Sequence, residues 1–323
     1  MKHSMISIAF AAALALTSQA RSAELPTPKD GWAAWQIDTV EDAPAWCCFA
    51  WDDRDTTPST CHLDSENHNF ASRDHATTDA ARVYAHFKDG KLDRLRTLAA
   101  ACPVETQTPI QKLDVSTDDS TRWFIGLLQR NDLDNDVLAG LAVHRGDLAF
   151  DALSKAARGD PRTDKRKHAV FWLAQTRGLQ GAQVATDLMF HDPDSDIRRH
   201  AIFAVSQSKS PAKAADIIRL GDTDADAQVR AQAWFWLAHT GAPNAEQAIS
   251  AALKKDGSEH VRDQAIFALS QLPDGRGVHA LIGLAEDRSL SREQRKRAVF
   301  WLAQSKSDEA QEYLERVLTA TTH

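Results

Sequence analysis

No cysteine occurs after residue 102, no second long apolar run follows the one at the N-terminus, and basic residues do not outnumber acidic ones. Each absence excludes something. Without cysteine, residues 103–323 have to be held by packing and not by disulfides. With 38 Lys and Arg against 45 Asp and Glu, a formal charge of −7, the chain lacks the basic excess that a phosphate backbone attracts, so nucleic acid is not an expected partner. No Cys-x-x-Cys, no compact zinc-ligand spacing and no Gly-x-Ser-x-Gly is present, which removes the usual sequence signs of thiol redox, structural zinc and α/β-hydrolase chemistry. No catalytic residue, metal or cofactor is therefore expected.

What is present begins with an export pattern. Lys2 and His3 precede an apolar run from Met5 to Leu16, followed by Ser18-Gln19-Ala20. A charged start, a short apolar core and a small-x-Ala site describe a secretory signal peptide over residues 1–20, cut after Ala20 or Ala23. The run falls short of the roughly 20 residues needed to cross a bilayer. The mature chain is expected to be soluble and periplasmic, with no integral membrane segment.

Four cysteines, Cys47, Cys48, Cys61 and Cys102, lie in the segment 24–115. In an exported chain that number reads as two disulfides. Adjacent Cys47 and Cys48 are badly placed to bond each other, and on a strand they point to opposite faces. One then takes Cys61 and the other Cys102, in an order the residues leave open. Val83, Ala85 and Phe87 alternate up to Asp89-Gly90, and Lys91–Leu98 follows, the pattern of a β-hairpin. A helix through Leu92, Leu95, Leu98 and Ala99 is the competing reading. With Trp32, Trp35, Trp46 and Trp51 nearby, the segment is expected to be a small disulfide-stabilised β-rich domain. Its alternative chemistry is a metal-binding or redox-related factor using the cysteines with His62, His68 and His75, since thiolate and imidazole suit zinc and copper.

Residues 116–323 are repetitive. Aligned on Ala169, Ala201, Ala233, Ala265 and Ala298, the segments RKHAVFWLAQT, RRHAIFAVSQS, RAQAWFWLAHT, RDQAIFALSQL and RKRAVFWLAQS recur at steps of 32, 32, 32 and 33 residues. A degenerate sixth copy is anchored on Val137, and residues 121–130 resemble a further half unit. Each unit reads as an apolar first helix, a Gly-, Pro- or Ser-containing break, an amphipathic second helix and an acidic turn such as Asp192-Pro193-Asp194-Ser195-Asp196. The turn carboxylates suit the N-terminus of the next helix. Hairpins of this size cannot bury their faces alone, so the copies must stack into an α-solenoid.

The unit resembles a HEAT repeat of the bacterial phycobilisome-lyase-like kind, on Asp194 to Ile197-Arg198, Asp226 to Val229-Arg230, and His260-Val261-Arg262. The resemblance implies an Asp–Arg ladder between neighbouring repeats, with Arg166, Arg198, Arg230, Arg262 and Arg295 in the arginine role. It also implies a mainly α fold; from that architecture and the missing catalytic signals, the chain is expected to bind another protein as a non-catalytic scaffold. The cysteine-rich segment is similar to those ahead of HEAT arrays in exported bacterial proteins. Two stripes run along the first helices. One is polar: His168/Gln175, His200/Gln207, Gln232/His239, Gln264/Gln271 and Arg297/Gln304, expected to form hydrogen bonds from repeat to repeat. The other is aromatic: Phe171, Phe203, Phe235, Phe267 and Phe300, beside Trp172, Ala204, Trp236, Ala268 and Trp301. Large–small alternation suits interdigitated core packing. If a partner docks, the candidates are Trp172, Trp236, Trp301, His168, His200 and His239.

Overall fold

The computed structural model describes residues 25–48, 59–65, 70–71, 76–130 and 132–320. The expected signal peptide, Trp51, His68 and His75 lie outside the described residues. The strands are β1 (Gly31–Asp38), β2 (Cys47–Cys48), β3 (Cys61–His62), β4 (Phe70–Ala71), β5 (Ala80–Lys88), β6 (Lys91–Ala99), β7 (Val104–Glu105) and β8 (Ile110–Lys112). The main sheet has the order β6-β5-β1-β8, with β1 antiparallel to β5 and parallel to β8. Asp89 and Gly90 both have positive φ, 51° and 72°, the conformation of a type I′ hairpin turn whose twist matches its strands. That turn, with the β5–β6 ladder from Ala81↔Ala99 to Lys88↔Lys91, makes the Leu92–Ala99 stretch a strand and excludes the competing helix.

The period-2 pleat sorts the sheet's apolar residues onto two faces. Trp32, Ala34, Tyr84 and Leu98 pack with Cys47, Cys61, Leu63 and Cys102 in one cluster. Ala33, Trp35, Ile37, Val83, Ala85 and Leu95 join the core of the helical region. The disulfides are Cys47–Cys102 and Cys48–Cys61. Within β2, Cys47 is buried and Cys48 half-buried, so the adjacent pair anchors the strand from both faces.

Helix α1 (Thr117–Leu127) is followed by six hairpins. Their first helices are α2 (Asp134–Val143), α4 (Thr163–Thr176), α6 (Ser195–Gln207), α8 (Ala227–Ala238), α10 (Glu259–Ser270) and α12 (Arg292–Gln304). Their second helices are α3 (Asp147–Gly159), α5 (Gly178–His191), α7 (Lys213–Thr223), α9 (Ala245–Lys255), α11 (Val278–Glu286) and α13 (Asp308–Ala320). The five anchor alanines are all fully buried. Successive first helices from α4 to α12 pack directly on one another, whereas successive second helices touch far less. The stack therefore curves, with the first helices on its inner side. Close approach fixes some residues: a Cβ on Gly221 would lie 2.6 Å from the Trp234 ring.

The turns between repeats carry two carboxylates with separate tasks. Asp194 and Asp226 are N-caps, accepting from the backbone N–H of Asp196 at 2.9 Å and of Gln228 at 2.7 Å. The aspartate two residues earlier takes the arginine. Arg198 reaches Asp224 through Nε at 2.8 Å and Nη2 at 3.0 Å, and donates from Nη1 to the Asp192 carbonyl at 2.9 Å. Arg230 repeats this with Asp256 at 2.7 and 3.2 Å and with the Asp224 carbonyl at 2.8 Å. Arg166 pairs with Asp192. The result is a continuous ladder in which each turn accepts one guanidinium on its carboxylate and the next on its carbonyl. Its members are largely buried, Asp192 at 3% and Asp224 at 5% side-chain exposure, so the bidentate geometry contributes more than a surface ion pair would.

The ladder does not run the full length expected of it. Arg262 donates only to the Asp256 carbonyl at 2.7 Å, and Arg295 to the Leu290 carbonyl at 2.5 Å. Neither has a carboxylate partner among the described residues. Asp287, in the turn that follows Arg262, accepts from the backbone and hydroxyl of Ser289. At the other end of the array, Arg162 and the buried Lys165 pair with Asp134 and Asp160.

The sheet and the array are joined by a buried polar chain. Trp35 Nε1 donates to Ser120 Oγ at 2.8 Å, and Ser120 Oγ lies 2.8 Å from His144 Nε2. His144 Nδ1 lies 2.7 Å from the Gly140 carbonyl. A carbonyl only accepts, so Nδ1 carries the proton and Nε2 accepts from the serine hydroxyl. Backbone bonds from Val40 N to Val143 O at 3.0 Å and from Arg145 N to Asp38 O at 3.1 Å flank this chain. Burial pushes the His144 pKa down from 6.5 to about 4, against the Gly140 hydrogen bond and aided by Arg177.

Two outcomes follow from these contacts. Replacing Asp224→Ala strands the Arg198 guanidinium in a mostly buried site, and is expected to cost about 2–3 kcal/mol, read as a lowered midpoint in urea unfolding. His144 is neutral in the fold, so between pH 6.5 and about 4 the unfolded chain binds the extra proton. Its contribution is complete above pH 6.5 and falls away toward pH 4, by about 3 kcal/mol in all. His144→Gln should flatten that part of the stability–pH curve relative to the unchanged protein.

Candidate interaction surface

A first helix packs through its anchor alanine, the residue after it and the leucine or valine four residues on, as Ala201, Ile202 and Val205 do. At 100° per residue this leaves positions two, three and six after the anchor, and the one before it, on the far side. The five recurring phenylalanines form one edge of that free face. Phe171, Phe203, Phe235 and Phe267 are half-buried, and Phe300 is 54% exposed. Trp172, Trp236 and Trp301 are half-buried too, while their small counterparts Ala204 and Ala268 are fully buried. The alternating row meets the core, its alanines fully buried and Trp172, Trp236 and Trp301 packed against it. The Phe row lies along the inner surface, outside the expected core.

The rings touch from one end of the array to the other. Phe171 stacks on Phe203 at 5.7 Å and 7°, and Phe235 on Phe267 at 5.7 Å and 14°. Between these pairs, Phe203 meets Trp236 at 4.7 Å and Phe267 meets Trp301 at 4.8 Å. Trp46 of the β domain lies edge-on to Trp172 at 5.2 Å, closing the N-terminal end of the strip, and Lys209 pairs with Asp42 nearby at 2.7 Å. The order is built on two repeats, not one. Trp172, Trp236 and Trp301 are 64 and 65 residues apart, as are the similar segments around Ala169, Ala233 and Ala298. That doubled period was readable in the sequence as two alternating signatures.

The polar stripe lies between the Phe and Trp rows. His168, Gln207, His239, Arg297 and Gln304 are exposed, and His200, Gln232, Gln264 and Gln271 half-buried. The expected contact from repeat to repeat is made at Arg297, which pairs with Asp263 of α10, and at His200, which meets the Lys167 backbone of α4; other members bond within their own helices. Gln207 and Gln271 donate to Ser206 and Ser270 of their own helices at 3.3 and 3.1 Å, and His239 Nδ1 to its own helix at the Phe235 carbonyl, 2.9 Å away. A glutamine reaches its neighbour along the helix more easily than one across the rings that separate the helices. Burial lowers the His200 pKa, with Lys167 and His168 acting in the same direction. The indole N–H groups of Trp172 and Trp236, Gln175 Nε2 and His200 Nε2 are shielded from solvent and have no hydrogen-bond partner among the described residues.

The cysteine cluster is the other place that holds potential ligands. The sulfurs of Cys47, Cys61 and Cys102 lie within 4.8 Å of one another because two disulfides are packed side by side, with Cys61 and Cys102 Sγ 3.6 Å apart. A disulfide sulfur carries no thiolate, the form that binds metal. His62 is exposed and pairs with Glu105 at 3.4 Å, pointing to a different partner from the sulfur cluster.

A family profile described as HEAT repeats matches residues 150–233 and 217–294. No curated protein sequence matches the chain. Among solved structures, human deoxyhypusine hydroxylase in complex with glycerol is similar at 14% identity and a TM-score of 0.28, covering 61% of this chain and 77% of that one. The complex of CpcE and CpcF of phycocyanin lyase from Nostoc sp. PCC7120 is similar at 17% identity and a TM-score of 0.35, covering 66% of this chain and 98% of that one. No helix among the described residues is long and apolar enough to cross a membrane. Residues from about 117 to 319 form a HEAT-like repeat region, preceded by a small disulfide-stabilised β-sheet domain over about residues 31–112.

Proposed function

We propose that this chain is an exported, periplasmic, non-catalytic scaffold that captures another protein on the inner face of its repeat array. The observation that carries the reading is the unbroken, half-exposed aromatic strip from Trp172 to Phe300. Aromatic side chains held rigid by their neighbours are the residues that dominate protein interfaces, since they bring area with little entropy to lose. The non-catalytic part rests on the Ser120–His144 pair, which is fully buried and offers no nucleophile to a substrate. Export rests on the N-terminal apolar run and on cysteines that are all disulfide-bonded, the state an oxidising compartment maintains.

One observation favours a second reading, a metal-binding or redox factor: three sulfurs share a site within 4.8 Å. Intact mass of the protein isolated from its native cell separates the two. The scaffold reading expects a chain that begins after Ala20 or Ala23 and is lighter by the hydrogens of two disulfides. Free thiols with bound zinc or copper would favour the second reading. In-cell photo-crosslinking tests the surface itself. A crosslinker at His239, exposed at the C-terminal cap of α8, is expected to capture a specific protein, and one at Gln247, exposed on α9, is not. Equal capture from both positions would sink the inner-face assignment.

A further inference from the structure

The two disulfides of the β domain lie close enough to exchange, and they differ in access. Cys47, Cys61 and Cys102 are 3%, 1% and 6% exposed, enclosed with Trp32, Leu63, Tyr84 and Leu98 in one apolar cluster. Cys48, on the opposite face of β2, is half-buried. Thiol–disulfide exchange begins with a thiolate attacking a sulfur it can reach. Of the four sulfurs, that of Cys48 is the one open to an outside thiolate, and attack there expels Cys61 as the leaving thiolate.

The surroundings of Cys61 suit that role. The backbone N–H of Cys48 donates to Cys61 Sγ at 3.0 Å, and a hydrogen bond to a charged form favours it, so the thiolate leaves more readily. The freed sulfur then has a second disulfide within reach. Cys61 Sγ lies 3.6 Å from Cys102 Sγ, and the sulfurs of Cys47, Cys61 and Cys102 are all within 4.8 Å of one another. Cys61 Sγ therefore sits beside the Cys47–Cys102 bond and not in line with it. Breaking the bond to Cys48 frees the rotation about the Cys61 Cα–Cβ bond that brings it into line. Cys47, the group displaced, has the Ser59 carbonyl 4.0 Å from its sulfur, so its thiol finds an acceptor where it stands.

We propose that the four cysteines form a thiol–disulfide exchange site that takes a dithiol reductant at Cys48 and relays the exchange through Cys61 to the buried pair. One thiolate of the reductant bonds to Cys48 Sγ, the Cys48–Cys61 bond breaks, and its electron pair goes to Cys61. The Cys61 thiolate bonds to Cys102 Sγ, the Cys47–Cys102 bond breaks, and Cys47 leaves with the electron pair and takes a proton. The second thiol of the reductant then bonds to the first and releases Cys48 as a thiol. The dithiol has given up two electrons and two protons to become a disulfide. The chain keeps one disulfide, now Cys61–Cys102, and gains adjacent thiols at Cys47 and Cys48. The site lies apart from the inner face of the array, and it goes beyond the scaffold reading without resting on it.

In the test, the full chain with both disulfides formed is treated with dithiothreitol under native conditions, quenched in acid and alkylated. Linked and alkylated cysteines are then mapped by mass spectrometry. The species holding a single disulfide is expected to carry a Cys61–Cys102 link, with alkyl groups on Cys47 and Cys48. A double variant, Cys48→Ser with Cys61→Ser, supplies a kinetic arm. Its β domain lacks one restraint, so direct attack on Cys47–Cys102 would be at least as fast as in the unchanged protein. A relay predicts the reverse, with Cys47 released at least about tenfold more slowly in the variant. Circular dichroism reports whether the variant keeps its fold, and the link map of the unchanged protein decides the matter if it does not. A single-disulfide species that retains Cys47–Cys102, with Cys48 and Cys61 alkylated, overturns the proposal. So does release of Cys47 from a folded variant as fast as from the unchanged protein. Either result leaves the crosslinks at His239 and Gln247 to be judged on their own.

Discussion

Direct packing of one first helix on the next is the constraint from which the rest of the molecule follows. A first helix has a neighbour on either side and its own second helix behind it, so three sides are buried and one is free. Burial on three sides explains why the anchor is alanine in each strong copy, why the flanking positions are Ile, Val, Leu or Trp, and why Gly221 leaves room for Trp234. It also brings the turns between repeats into line, so that a single arginine spans two of them. The Asp192–Arg198–Asp224–Arg230–Asp256 chain is best understood as what holds the turns in register once the helices have packed. The hydrophobic contacts supply the bulk of the stability and the ladder fixes the angle.

At the N-terminal end the same constraint requires a cap, because the first hairpin has no preceding repeat to cover it. The β domain takes that place. One face of its sheet enters the array's core through Trp35, Ile37 and Val83, and the other is sealed by the disulfide cluster. A sheet this small holds few apolar residues of its own, and the two disulfides compensate by restricting the unfolded chain. The buried Trp35–Ser120–His144 chain makes the seam specific, since the Trp35 indole finds Ser120 only when sheet and helices are docked.

The repeat architecture was legible because it is written five times: a period of 32 residues, an anchor alanine and acidic turns leave one consistent solution. The hairpin at Asp89-Gly90 was legible from a turn that needs positive φ. The ladder was only half legible. The arginines recur at one position, but which aspartate each one takes depends on how a turn folds, and Asp194 is a cap while Asp192 is the partner. Arg262 and Arg295 show the limit of reading a role from position, since the arginine recurs there while its bonds go to backbone carbonyls. The candidate surface was visible as two stripes, and its packing only in part. Alternation of Trp and Ala suits a core, and only the pairing of helices in space shows that the Phe row faces outward. The order of the disulfides needed the fold itself, since either pairing satisfied the opposed faces of Cys47 and Cys48.

The central claim is that the free side of the first helices is where this protein meets its partner. Hydroxyl-radical footprinting of the protein inside its native cells, compared with the purified chain, tests it directly. The account predicts that Phe203, Phe235, Trp236 and Phe267 are protected in the cell, while Leu179, 58% exposed on the opposite side of the array, is oxidised equally in both. Protection of Leu179 and Phe190 with an unprotected Phe row would contradict it.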